Sequence, residues 1–371
     1  MLYRGGVLGS AIVSLAMMCQ ASVAVAEPDS YPATEQIGVT TLRLVDSDRA
    51  DPWKPSARRE LNVTIHYPTA NADSYPLADT VVPWSPNTVL PSQSHLNAPV
   101  DGAAGALPVL LFQPGANLPV QTGTSMAENL AGHGYAVVSI DDTHGSFPGT
   151  AFPDGHIEPF EGSAGEDFVT ASAARVGDIH FVLDELSALT HGSDPDADGA
   201  ALPAGLGTAL DMSKIGMYGH SLGGIMTFYS DPRVRAGVSL DGWADPAQPG
   251  ELTPGLAADP ERPLLFLLRP AADPATRRQI LDRMCAGRTG WTRELVLAGT
   301  RHWDFTDLDY LPRSVMSAPL LSDQVGAIAP ERAHAVVNAY LTAMFDHFLR
   351  GRPEPLLDNP DPGFPEITFG A

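Results

Sequence analysis

The sequence predicts an α/β fold: one central, mostly parallel sheet with helices on both faces. Three observations predict it. From residue 107 onward, short continuous apolar runs alternate with stretches of helical spacing, the pattern of parallel strands joined by helical crossovers. One such run, Lys214-Ile215-Gly216-Met217-Tyr218, leads into Gly219-His220-Ser221-Leu222-Gly223 and then a helix-opening stretch. A Gly-x-Ser-x-Gly pattern between a strand and a helix is how a nucleophile is presented at the end of a buried strand. Finally, 371 residues with 44% hydrophobic and only 18% charged side chains suffice for one large folded core.

The N-terminus reads as an export signal. Arg4 is the only charge before Glu27, residues 7–18 are mostly apolar, and Ala24-Val25-Ala26 offers a small-residue cleavage site. The apolar run is short for a membrane span. An uncleaved N-terminal anchor and a lipid anchor at Cys19 are the alternatives, and the bulky Met18 stands against the second. The division expected is a signal peptide over 1–26 and a single domain over 27–371, with N-terminal strands and a long loop (27–106), a catalytic core (107–350) and a C-terminal tail (351–371). Cleavage leaves Cys285 as the one cysteine, so no intramolecular disulfide is expected.

Residues 39–45 (VTTLRLV) and 60–67 (ELNVTIHY) read as strands, and the second alternates apolar and polar residues as a half-buried antiparallel strand does. Residues 69–106 read as a long loop. Residues 107–113 (LPVLLFQ), 135–140 (YAVVSI), 234–240 (VRAGVSL), 263–268 (PLLFLL) and 292–297 (TRELVL) read as strands, the first two as ones buried on both faces. Helices are expected over 122–133, 168–189, 274–285 and 330–349. Residues 194–199 (DPDADG) resemble half a calcium loop. The twelfth position holds Gly205 where a bidentate acid belongs, so an acidic turn is the reading.

A serine hydroxyl needs a base, and the base needs an orienting acid. In a sheet of this kind they follow the serine in the order acid, histidine, at the carboxyl ends of strands. Three histidines follow Ser221. His334 and His347 fall within the last helix, whereas His302 follows the last predicted strand on a turn, so His302 is the candidate base. For the acid, Asp241 ends the strand 234–240, and Asp273 lies five residues beyond the strand 263–268; both remain open on spacing. The oxyanion needs two backbone N–H donors. Leu222, after the nucleophile, supplies one. Ala116, in the turn after residues 107–113, supplies the second, since Pro114 has no N–H.

The residues RRELNVTIHYP (58–68), Phe112 with Gly115-Ala116, GHSLGG (219–224), GVSLDGW (237–243) and GTRHWDFTD (299–307) together resemble the platelet-activating-factor acetylhydrolase family of α/β-hydrolases, in particular its secreted bacterial relatives. The likeness covers most of residues 37–350. It implies the α/β-hydrolase fold, Ser221 as nucleophile, Asp241 as acid, His302 as base, and Ala116 and Leu222 as oxyanion donors. It also implies that Trp243 lines the substrate pocket, and it places Trp303 there, beside the base. Two positions depart from the family pattern. Pro114 stands where a His usually precedes the Gly, and Trp303 follows the base where lipid-active members can carry a polar residue.

The expected function is that of a secreted or periplasmic serine hydrolase cleaving carboxylic esters through an acyl-enzyme, with no metal or organic cofactor. The resemblance suggests short-acyl phospholipid or other lipid esters; simple esters and polyesters stay open. A peptidase or amidase, and a non-catalytic binding protein on the same fold, are the competing readings. The partner expected is a small-molecule or lipid ester. A formal net charge of −22 speaks against nucleic acid and strongly anionic membranes, and no stable membrane insertion is expected once the signal is removed.

Overall fold

The computed structural model describes residues 36–78, 80–82, 85–90, 92–162, 167–229, 231–244, 259–311 and 323–370; the export-signal reading of 1–26 lies outside them. The chain begins with two long antiparallel strands, β1 (Gln36–Ala50) and β2 (Arg58–Thr69). Three short strands follow, β3 (Thr80–Val82), β4 (Ser85–Leu90) and β5 (Ser94–Leu96). The stretch read as one long loop therefore holds a small antiparallel pair, β3–β4, and an edge strand, β5, beside β1. Short-range turn chemistry in a Pro-rich stretch hid these strands, because none has a periodic apolar pattern long enough to read.

The body alternates strand and helix: β6 (Leu107–Gln113), α1 (Thr124–Gly132), β7 (Ala136–Ile140), a loop with β8 (Gly149–Ala151) and β9 (Ile157–Pro159), then α2 (Phe168–Thr190) and the one-turn α3 (Leu206–Ala209). It continues through β10 (Leu210–His220), α4 (Leu222–Tyr229), β11 (Val234–Leu240), β12 (Leu264–Leu268), α5 (Pro274–Met284), β13 (Thr292–Leu297), α6 (Pro330–Arg350) and β14 (Ile367–Phe369). The main sheet has ten strands in the order β14-β13-β12-β11-β10-β6-β7-β2-β1-β5. The six strands from β13 to β7 are mutually parallel, and β2 and β14 close them off as antiparallel neighbours. The stretch 351–371, expected as a tail, thus ends in a sheet strand: Ile367 pairs with Leu297, and Arg332 of α6 binds Glu366 at 2.7 Å.

Every residue of β6, β7 and β12 is buried. One core packs α2 and α4 against β1, β2, β6, β7 and β10; a second packs α1 and α6 on the opposite face. Each fully buried Leu, Ile or Val contributes about 1.5–3 kcal/mol, and this two-sided burial is what holds the carboxyl ends of β6, β10 and β11 side by side.

One part of the interior is ionic. Arg59 on β2 is fully buried and binds Asp51 at 2.8 Å, Asp142 at 3.0 Å and Asp178 of α2 at 2.7 Å. Burial opposes the guanidinium charge, but the three carboxylates, Asp178 foremost, keep its pKa well above the usual arginine value. Removing one partner of such a buried pair typically costs about 3–5 kcal/mol. The acidic turn at 194–199 has a related, more exposed use: Asp196 accepts from the backbone N–H of Arg43, and Asp198 pairs with the Arg43 side chain at 2.7 Å.

Candidate active site

Ser221 stands between the end of β10 and the start of α4, with a left-handed φ of 53°. A non-glycine residue pays for that conformation, and such outliers concentrate at working sites. The turn is tight enough that Gly219 and Gly223 are obligatory. A Cβ at Gly219 would run into the backbone of Gly223, and one at Gly223 into the carbonyl of Gln113. The Ser221 N–H donates to Leu240 O at 2.9 Å, tying the turn to β11.

His302 sits on a short 3-10 turn (His302–Phe305) after β13. Its Nε2 lies 3.0 Å from Ser221 Oγ and its Nδ1 2.6 Å from Asp241 Oδ2. With a carboxylate at Nδ1, that nitrogen carries the proton in the neutral ring, and Nε2 faces the serine as an acceptor. Asp241 follows β11 directly, also with a positive φ (47°), and is held by the Arg269 N–H at 3.2 Å and Arg269 Nε at 3.0 Å. Asp273, the other acid weighed from spacing, is elsewhere. It caps the N-terminus of α5, accepting from the N–H groups of Ala275 and Thr276 at 3.1 Å each. Arg269 pairs with Asp241.

His220 immediately precedes the nucleophile. Its ring lies against that of His302, with centroids 4.4 Å apart, and its Nε2 donates to the His302 carbonyl at 2.8 Å. Burial, aided by His302, holds its pKa well below the ordinary value, so it is a neutral prop for the His302 backbone.

Ala116 and Leu222 lie at the turn after β6 and at the start of α4. Among the described residues neither backbone N–H has a hydrogen-bond acceptor. Arg175 of α2 donates to the carbonyls of the same turn, Pro114 O at 2.5 Å and Gly115 O at 3.2 Å. Trp243 is half-buried and packs on the cluster formed by Phe228, Phe266 and α5. Trp303 is buried, with 8% of its surface exposed, so little of the ring is free to meet a substrate.

The D-F-T-D run after His302 fixes that loop. Asp304 accepts from the N–H groups of Arg301 and Gly326, Phe305 enters the core, and Thr306 donates to Trp303 O. Asp307 caps α1 by accepting from the Ser125 N–H at 2.9 Å.

Here a second Ser-His-Asp grouping occurs. Ser125 Oγ lies 3.0 Å from His334 Nδ1 and also bonds Asp307; His334 Nε2 is 2.9 Å from Asp309. It differs from the Ser221 grouping in two ways that matter. All four residues are buried, and Ser125 lies inside a helix rather than on a strained turn. Burial opposes charge on His334, but Asp309, with Asp307, outweighs it and raises the pKa to about 9. That shift favours the protonated ring, in which both nitrogens are donors, over a base for a serine proton. The grouping is a clasp joining α1, the turn after His302 and α6.

A cavity of about 340 Å³ lies beside α1 on the face of β1, β2 and β7, lined in part by Thr41, Thr64, His66 and Ser139. Leu96 and Ile157 bring the two long loops to its walls. His66 is held neutral there, its pKa lowered to about 4 by burial.

A mostly parallel ten-stranded sheet with helices on both faces, and a serine on a strand-to-helix elbow at its carboxyl edge, define an α/β-hydrolase. The sequence model for platelet-activating factor acetylhydrolase, isoform II, matches residues 172–351. A probable 1-alkyl-2-acetylglycerophosphocholine esterase of Arthroderma benhamiae is 26% identical over 287 residues, 71% of this chain and 66% of that protein, so about a third of that relative lies outside the match. A ferulic acid esterase from Streptomyces cinnamoneus is 30% identical and superposes with a TM-score of 0.74 over 94% of this chain and 99% of its own. Over residues 172–351 the chain is similar to the platelet-activating factor acetylhydrolase family.

Proposed function

We propose that the protein is a carboxylic ester hydrolase that works through an acyl-enzyme on Ser221. The observation that carries this reading is the continuous path from Asp241 to His302 to Ser221, at 2.6 and 3.0 Å, on an elbow strained at the serine. His302 Nε2 takes the hydroxyl proton as Ser221 Oγ attacks the ester carbonyl, and Asp241 stabilises the imidazolium that forms. The Ala116 and Leu222 N–H groups receive the oxyanion. His302 then protonates the departing alcohol, a water attacks the acyl-enzyme by the reverse path, and the acid leaves. Acyl transfer by this route needs no metal or organic cofactor.

The two relatives carry names that specify an acetyl ester and a ferulic acid ester, and carboxylic ester cleavage is what the names share. Short-acyl esters, phospholipid ones among them, are the substrates proposed. Ser221→Ala should lower turnover of p-nitrophenyl acetate by several orders of magnitude with the circular dichroism spectrum unchanged, and retention of a tenth of the activity would end the reading. A panel of p-nitrophenyl esters, short-acyl phospholipids and methyl ferulate then ranks the acyl and alcohol parts.

Export is proposed with it, on Arg4, the apolar run and Ala24-Val25-Ala26. N-terminal sequencing of protein recovered from the medium or periplasm should begin within a few residues of Glu27; full-length cytoplasmic protein beginning at Met1 contradicts it.

A further inference from the structure

We propose that Arg175 is the positioning residue of the oxyanion turn: its guanidinium, anchored by a buried ion network, sets the direction of the Ala116 N–H. The inference rests on the ester hydrolase reading above and adds to it a residue far from the serine in sequence. The Gly115–Ala116 peptide is trans, since the one cis bond among the described residues is Phe147–Pro148. In a trans peptide the C=O and N–H point in opposite directions. Arg175 Nη2 holds the Gly115 carbonyl at 3.2 Å beside the Leu118 N–H, which donates to the same oxygen at 3.2 Å, and Nη1 holds the Pro114 carbonyl at 2.5 Å. With Gly115 O turned toward α2, the Ala116 N–H is turned away from α2. Rotation of that one peptide plane would withdraw the donor.

The rest of the guanidinium is fixed as well. Nε binds Asp142 Oδ2 at 3.1 Å, the other oxygen of Asp142 binds Arg59 at 3.0 Å, and Arg59 is in turn held by Asp178 and Asp51. All five side chains are at most 3% exposed. The turn is braced from the other side by the elbow, whose Gly223 abuts Gln113 and Pro114. Only a planar fork with donors on three nitrogens meets two carbonyls and a carboxylate together; a lysine ammonium is a point donor and cannot. Burying such a chain of charges is costly, and an apolar core of equal volume is often the more stable choice. An arginine kept there for the turn's geometry accounts for the cost.

Arg175→Lys and Arg175→Met are compared with Asp51→Asn, which loosens the far end of the same network. Both Arg175 variants should lose about 10²-fold in kcat on p-nitrophenyl acetate, the order seen when one oxyanion donor is lost, with KM within threefold. Their affinity for an alkyl boronic acid, which mimics the tetrahedral intermediate, should weaken by a similar factor. Asp51→Asn should lower the melting temperature yet hold kcat within threefold. A folded Arg175 variant with kcat within threefold of wild type overturns the proposal. So does an Asp51→Asn enzyme that loses kcat as the Arg175 variants do, since the effect is then general loosening. If neither Arg175 variant folds, a crystal structure of the wild-type boronate adduct decides: the boronate oxygen lies within about 3.2 Å of Ala116 N, or the proposal fails. Ser221→Ala separates the two ideas. A dead Ser221→Ala enzyme beside active Arg175 variants removes the role of Arg175 alone, whereas an active Ser221→Ala enzyme removes the reading on which it rests.

Discussion

Asp241 and Asp273 carry the same carboxylate 32 positions apart, and their surroundings give them different tasks. Asp241 is buried and bonded to His302 and Arg269; Asp273 is exposed and bonded to the first N–H groups of α5. Asp241→Asn keeps the shape but offers the imidazole an amide, favouring the wrong tautomer. Its kcat on p-nitrophenyl acetate should fall by up to about 10⁴. Asp273→Asn should stay within threefold of wild type, because Asn caps a helix as well as Asp does. If the second substitution is the damaging one, Asp241 is not the acid. A steady-state comparison at pH 7.5, with melting curves to verify folding, distinguishes them.

At the scale of elements, α6 is fastened to the His302 loop by His334 and its two carboxylates. The pKa of His334 is raised from about 6.5 to about 9 against the effect of burial. A group whose folded pKa is raised contributes stability that is fully present below its unfolded pKa and is lost as pH climbs through the folded one. The urea midpoint should therefore fall between about pH 6.5 and pH 9, and His334→Gln should be less stable at pH 6 and show a flatter profile across that window. A wild-type midpoint that holds constant from pH 6.5 to 9.5 contradicts a charged His334. The clasp also explains why a helix that contributes nothing to the Ser221 geometry bears on it, since Asp307 opens the 3-10 turn that directly follows the one carrying His302.

The whole molecule ends its sheet with two three-residue edge strands. β5 guards β1, and β14 guards β13, fixed by the ion pair between Arg332 and Glu366. An uncovered edge strand is a template for association. Deleting residues 363–371 should lower the melting temperature and raise light scattering at the same protein concentration, while a catalytic constant measured on the remaining folded monomer should change little. Equal scattering and melting in the two chains would show that β14 is dispensable.

The sequence by itself determined the class of fold and the position of the serine, because both are local. Parallel strands buried on two faces are continuous apolar runs, such as residues 107–113 and 135–140, and a strained elbow demands glycine at 219 and 223. His302 was legible for the same reason, as the one histidine after Ser221 that falls on a turn instead of within a helix. The stretches 85–90, 94–96 and 367–369 were not legible as strands. Each is short; 85–90 forms a tight pair with 80–82, and 94–96 and 367–369 are created by pairing with partners far along the chain. Spacing leaves both Asp241 and Asp273 open, the family likeness favours Asp241, and only the fold brings Asp241 to His302. Arg175, Arg59 and His334 were beyond reach altogether. A buried charge is sustained by partners dozens to hundreds of residues away, and no periodicity within the chain announces them. Distance in sequence hides them, and folding alone brings Arg175 to the carbonyls of Pro114 and Gly115.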